Sequence, residues 1–167
     1  LVGKFVVTKL TDMGYKVHVV DLKIPDEIKA NNSISYHEGD VFRIVEDLPK
    51  TKLILNLLPG SIGELVRPIL ISKGIDIIDL AFTESEPTIH NQLAANNDCR
   101  LIWDVGIAPG LSNMLIKKEY TKNSKIMEVT IKVGGNPAQP DGEWSYMAPF
   151  SPTDVIEEYT RPARIIE

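Results

Sequence analysis

Short apolar, β-branched runs alternate along this chain with stretches of helical periodicity, and that alternation restricts the fold more than any single motif. The runs are KVHVVDL (16–22), SISYHEGD (33–40), KLILNLLP (52–59), IDIIDLAF (75–82) and CRLIWDVG (99–106). Residues 4–10 read as an amphipathic helix ended by Gly14. In VFRIVEDL (41–48), Val41, Ile44, Val45 and Leu48 fall at the i, i+3, i+4, i+7 spacing of one helical face. GELVRPILISKG (63–74) is a helix closed by a glycine, with Pro68 predicting a kink or a broken start. PTIHNQLAANND (87–98) opens on proline as helices do, and GLSNMLIKKEY (110–120) is a further helix. Apolar strands that each lead into a helix imply a parallel sheet covered on both faces, hence an α/β fold of the Rossmann type with a doubly wound parallel sheet. After Tyr120 the texture changes. IMEVTIKVGG (126–135) alternates as a strand does, NPAQPDGEW is a turn, and SPTDVIEEYTRPARIIE gives a short helix and then a proline-broken segment. The boundary is expected near Lys122, with an NAD-binding domain over 1–122 and the start of a second α/β domain over 123–167.

Composition narrows the partners. The formal net charge of −5 disfavours nucleic acid and anionic membrane surfaces, both of which reward a basic face. No apolar run approaches the ~20 residues of a membrane span, and the first residues lack the pattern of a signal peptide. Cys99 is the single cysteine, so no internal disulfide forms. These features together lead to the expectation of a cytoplasmic protein in a reducing compartment.

The opening residues carry a more specific expectation. In a dinucleotide-binding unit the first strand leads into a G-x-G-x-x-G turn, and an acid follows ~20 residues later to bond the ribose. With Gly3 as the third glycine, Asp21 falls where that acid belongs, and a strand with two glycines is expected before Leu1. The other reading is an ordinary helix–strand pair. Asp40 and Val41 follow the next strand, where they would meet the adenine or simply cap a helix. Asn56, Leu57, Leu58 and Pro59 end KLILNLLP at the carboxyl edge, where open α/β sheets bind ligands.

Three later stretches, WDVGIAPGLSNML (103–115), VGGNPAQP (133–140) and FSPTDVIEEYTRPARII (150–166), resemble the saccharopine dehydrogenase-like family, nearest to its lysine-oxidising members. The resemblance spans essentially the whole chain. It implies a nicotinamide cofactor, a small-molecule amine or amino-acid substrate, and a homodimer, while Asp21 would favour NAD over NADP because a carboxylate repels the 2′-phosphate and bonds the free 2′-hydroxyl. It also implies that the chain lacks the first strand and most of the second domain. Within that frame Asp104 is the catalytic candidate, pairing with the substrate amine or helping to deprotonate it; the alternative is a turn-forming aspartate. Gly106, Pro109 and Gly110 would shape a tight turn beside the cofactor, and Phe82 would pack near the nicotinamide. Tyr146, Tyr159 and Arg161 would bind substrate, with Arg161 clamping a carboxylate unless it is merely solvated.

A different class of function, a stand-alone nucleotide-binding or regulatory module, also fits the first 122 residues. The segment VIEEYTRPARII argues for the enzyme. A sugar-nucleotide epimerase would need Tyr-x-x-x-Lys, and the fourth residue after Tyr120 in YTKNSK is Ser124. His18 lies in a buried strand pattern, His37 and His90 have no metal partners at useful spacing, and no metal is expected. Cys99 reads as a packed residue.

Overall fold

The computed structural model describes residues 2–108, 110–133, 138–139, 155–156 and 159–160. The chain divides into two compact units, Leu1–Ile102 and Trp103–Glu167. That division falls before the last expected helix, whereas the texture of the sequence placed a boundary near Lys122.

The first unit is mixed α/β, with five parallel strands in two small sheets. Helix α1 (Val2–Asp12) ends in a turn that closes on Gly14, whose φ of +84° is open to glycine at little cost. It leads into β1 (Val17–Asp21), which pairs with β2 (Ile34–Glu38) from Val17 opposite Ile34 to Asp21 opposite Glu38. A short helix that the sequence did not announce, α2 (Asp26–Lys29), connects them. The second sheet has the order β3 (Ile54–Asn56), β4 (Ile77–Asp79), β5 (Leu101–Ile102). Among the described residues, β1 pairs only with β2 and β3 only with β4, so each sheet keeps an open edge on one of these two strands. No residue of β1 is fully buried, although its sequence is that of an interior strand.

Several helices are shorter than their periodicity predicts. The expected helix over 41–48 is α3 (Val41–Ile44) followed by a 3₁₀ turn, Val45–Asp47. Pro49 forces the residue before it out of the helical region, and Leu48 is extended at ψ 140°. The 87–98 segment likewise divides into a 3₁₀ turn, Pro87–His90, and α5 (Asn91–Asn96). By contrast α4 (Gly60–Ile71) starts cleanly after Pro59 and runs unbroken through Pro68, correcting the expected broken start. The proline removes one N–H donor from the ladder, and burial of Val66, Arg67, Leu70 and Ile71 holds the turns around it.

Two apolar clusters organise this unit. Val7, Ile24, Ile28 and Ile34, with Val17 and Val19 against them, pack α1 and α2 onto the first sheet. Val45, Val66, Leu70, Ile71, Ile77 and Cys99 form the second cluster, joined by Val41, Leu58 and Leu101. Cys99 is buried and its thiol donates to Ile75 O at 3.1 Å, consistent with a packing role.

In the second unit α6 (Leu111–Lys122) follows the Gly-rich turn. The strand expected from 126 onward is absent over residues 126–133, where Met127, Val129, Ile131 and Val133 are all exposed. Period-two alternation needs a sheet partner to become a strand, and no described residue supplies one there.

Helix α4 approaches β3 and β4 through a glycine. A Cβ built on Gly63 would lie 2.4 Å from the Ala81 Cβ and 3.2 Å from Asn56 Nδ2. Gly63→Ala is therefore expected to destabilise the unit by about 1–3 kcal/mol, the usual cost of overpacking, read as a lower urea midpoint.

Candidate functional site

The carboxyl ends of β3 and β4 carry the most organised polar structure in the first unit. Asn56, the last residue of β3, is buried; its Nδ2 donates to Gly63 O at 3.3 Å and its Oδ1 accepts from Leu58 N at 3.4 Å. This fixes the turn of Leu57, Leu58 and Pro59 into α4. Leu57 and Leu58 are half-buried, and Pro59 is exposed as the residue before the helix. Asp79, the last residue of β4, has no exposed surface. One carboxylate oxygen accepts from Ala81 N at 2.8 Å, the other from Arg67 Nε at 2.7 Å.

Arg67 is itself fully buried. Its Nη2 donates to Thr83 Oγ1 at 3.2 Å, and that hydroxyl donates to Ser85 O at 3.0 Å. Glu64, one turn before Arg67 on α4, accepts from both Ser85 N and Ser85 Oγ. The side chains of α4 thus hold residues 80–86 to the helix, while Phe82 within them keeps 38% of its surface exposed. Hydrogen bonding from Ser85 sets the Glu64 carboxyl below the usual carboxylate range. Burial, assisted by the Arg67 charge, pushes His90 below the ordinary imidazole value. Arg67 Nη1 has no hydrogen-bond partner among the described residues.

Sequence reasoning passed over this network. Its signal was a charged residue on an apolar helical stripe: Gly63, Val66, Arg67 and Leu70 occupy one face, and only Arg67 is not apolar.

A second group gathers at the end of the first sheet. Asp21 closes β1, is exposed, and accepts from Lys23 N at 3.4 Å. Gly39 N donates to Asp21 O at 2.9 Å, which brings the start of α3 beside it. Asp40 caps α3 through Oδ1, accepting from Phe42 N at 3.0 Å, so the helix-cap alternative accounts for its geometry. Val41, the first residue of α3, packs on the same apolar cluster as Leu58. Gly3 lies in α1, and a Cβ there would meet nothing within 4 Å. No close helix–strand approach occurs at Gly3 among the described residues.

In the second unit the expected tight turn forms. Gly106 and Gly110 make a β-bridge, and Gly110 has φ +127°. A Cβ on Gly110 would lie 2.2 Å from Gly106 O. Leu111 N donates to Gly106 O at 2.8 Å and Ser112 N to Ile107 O at 3.0 Å, while Gly110 N donates to Asn113 Oδ1 at 3.1 Å. The first N–H groups of α6 are thereby satisfied within the turn itself. Asp104 takes φ +54°, a left-handed conformation that aspartate tolerates better than most residues. Tyr159 is 84% exposed, and Pro109, Tyr146 and Arg161 lie outside the described residues.

Among the described residues no helix is long and apolar enough to cross a membrane. No protein-family model matches the chain.

The buried Arg67–Asp79 pair yields a stability test. Removing one partner of such a pair leaves an uncompensated charge, so Arg67→Met is expected to cost about 3–5 kcal/mol in urea unfolding. The double variant Arg67→Met/Asp79→Leu is expected to recover most of that loss. A double variant no more stable than the single one would show that the charge pair is not the source.

Proposed function

We propose that the protein is an NAD-dependent oxidoreductase of the saccharopine dehydrogenase-like family. In this reading it oxidises a lysine-like or saccharopine-like amine by hydride transfer, and the resulting imine is hydrolysed. The observation that carries the proposal is the arrangement of parallel strands. One additional parallel strand between β1 and β3 would join the two sheets into the order 3-2-1-4-5-6, the Rossmann arrangement that binds dinucleotides. The ordered motifs of residues 103–166 supply the amine chemistry by resemblance.

NAD fits the residues at the strand ends. Asp21 is an exposed carboxylate closing β1, suited to accept from both hydroxyls of a ribose. Asp40 and Val41 would border the adenosine half, and Leu57 to Pro59 with Phe82 would border the nicotinamide half. When bound, NAD accepts the hydride. The chain's own contribution is to orient and to handle protons. The network of Arg67, Asp79 and Thr83 holds residues 80–86 in one conformation, which presents Phe82 to solvent. An amine gives up hydride only when neutral, so an acceptor for its proton is required, and Asp104 is the proposed residue. Tyr146, Tyr159 and Arg161 are the proposed substrate contacts, and the protein is proposed to act as a homodimer. The runner-up, a nucleotide-binding module, differs in one outcome: it binds NAD without amine-dependent NADH formation.

Two substitutions test the reading. Asp21→Ala is expected to weaken NAD binding about tenfold or more, since a hydrogen bond to a charged group is worth ~1.5–3 kcal/mol, and to narrow the preference over NADP. Equal or tighter NADP binding by the unsubstituted protein contradicts the cofactor assignment. Asp104→Asn is expected to lower amine oxidation strongly, by the ~2–5 kcal/mol typical of a lost charge partner, with NAD affinity nearly unchanged. Steady-state NADH formation and direct NAD titration separate the two effects, and intact turnover in Asp104→Asn removes it from the mechanism.

A further inference from the structure

Parallel pairing of β1 with β2 brings together two of the three histidines in the chain. His18 Nδ1 and His37 Nε2 stand 3.1 Å apart, with ring centroids 5.4 Å apart and planes inclined by 20°. In this register His18 lies opposite Ser35 and Val20 opposite His37, so both imidazoles lie on one face of the sheet. Val17 and Val19 point to the other face, into the apolar cluster with α1 and α2. Both histidines are half-exposed, which leaves a route for an ion and for water.

We propose that His18 and His37 form a binding site for a borderline transition-metal divalent cation such as Ni²⁺ or Zn²⁺. Two imidazole nitrogens bound ~2.0–2.1 Å from one metal, at the ~90–109° angles of octahedral or tetrahedral geometry, stand about 2.9–3.4 Å apart. The observed separation lies inside that interval. The metal would take the place of the hydrogen bond: the shared hydrogen moves to the far nitrogen of its own ring, and each ring turns by roughly 35–45° so that both lone pairs meet at the metal instead of lying along the line between the nitrogens. The ladder of β1 and β2 already holds the two side chains together, so little ordering is left for binding to supply. Among the described residues no three His, Cys, Asp or Glu side chains gather as a metal site, so water completes the coordination and the affinity is modest. Neither Asp21 nor Asp104 takes part, which makes this site independent of the dehydrogenase proposal.

The test is a titration of the full chain with Ni²⁺, chosen because it is redox-inert toward the Cys99 thiol. Calorimetry is expected to show one saturable site in the wild-type protein. His18→Gln and His37→Gln, which keep polarity and approximate size, are each expected to weaken it at least tenfold. His90→Gln is expected to leave it unchanged. Paramagnetic broadening in the wild-type spectrum provides a check that does not depend on variant folding: the ring resonances of His18 and His37 should disappear first, with those of His90 intact. Absence of a saturable site, equal loss in His90→Gln, or broadening that spares His18 and His37 would each overturn the assignment.

Discussion

A fully buried ion pair between Arg67 on α4 and Asp79 at the end of β4 shapes the polar end of the second sheet. Taking both charges out of water is costly, and the pair persists because each has further partners: Ala81 N for the carboxylate and Thr83 Oγ1 for the guanidinium. The consequence is positional. Residues 80–86 follow a strand of three residues and have little regular structure of their own, yet they are tied to α4 at Arg67 and again at Glu64. The close approach at Gly63 adds the third constraint by bringing the helix axis against Ala81 and Asn56. A loop held this way buries Ala81 and Thr83 while leaving Phe82 between them exposed on a fixed backbone.

The first sheet is under the opposite condition. Val17, Val19 and Val20 belong to a sequence written for the middle of a sheet, yet β1 has a neighbour on one side only and stays half-buried. The same holds for β3, where Ile54 and Leu55 are half-buried beside an open edge. Unpaired apolar edges are aggregation-prone. In both strands the apolar pattern of the sequence exceeds the burial that one neighbouring strand provides.

The glycine-rich turn of the second unit satisfies its own backbone donors. Gly106 and Gly110 meet closely enough that a Cβ on Gly110 would collide with the Gly106 backbone. In closing, the turn consumes the N–H groups of Gly110, Leu111 and Ser112. Those donors are satisfied at the start of the helix itself and do not form a free helix terminus.

Apart from α2, the order of strands and helices through α6 was written in the sequence, because apolar periodicity is local and each element needs only its own residues to declare it. So was the turn at Gly106–Gly110, whereas the cap at Asp40 stood only as the alternative to an adenine contact. Helix lengths were less legible: Pro49 cut short the 41–48 helix through its effect on Leu48, whereas Pro68 did not break α4, because burial on both sides outweighed one lost bond. The alternation over 126–133 produced no strand, since a strand is a property of two segments and not of one. What only the tertiary structure decided is which distant residues meet. Arg67 finds Asp79 across twelve positions, and His18 finds His37 across nineteen. Neither separation carries a local signal, because sheet register and helix packing set those distances, and both depend on the burial of apolar surface contributed by the whole unit.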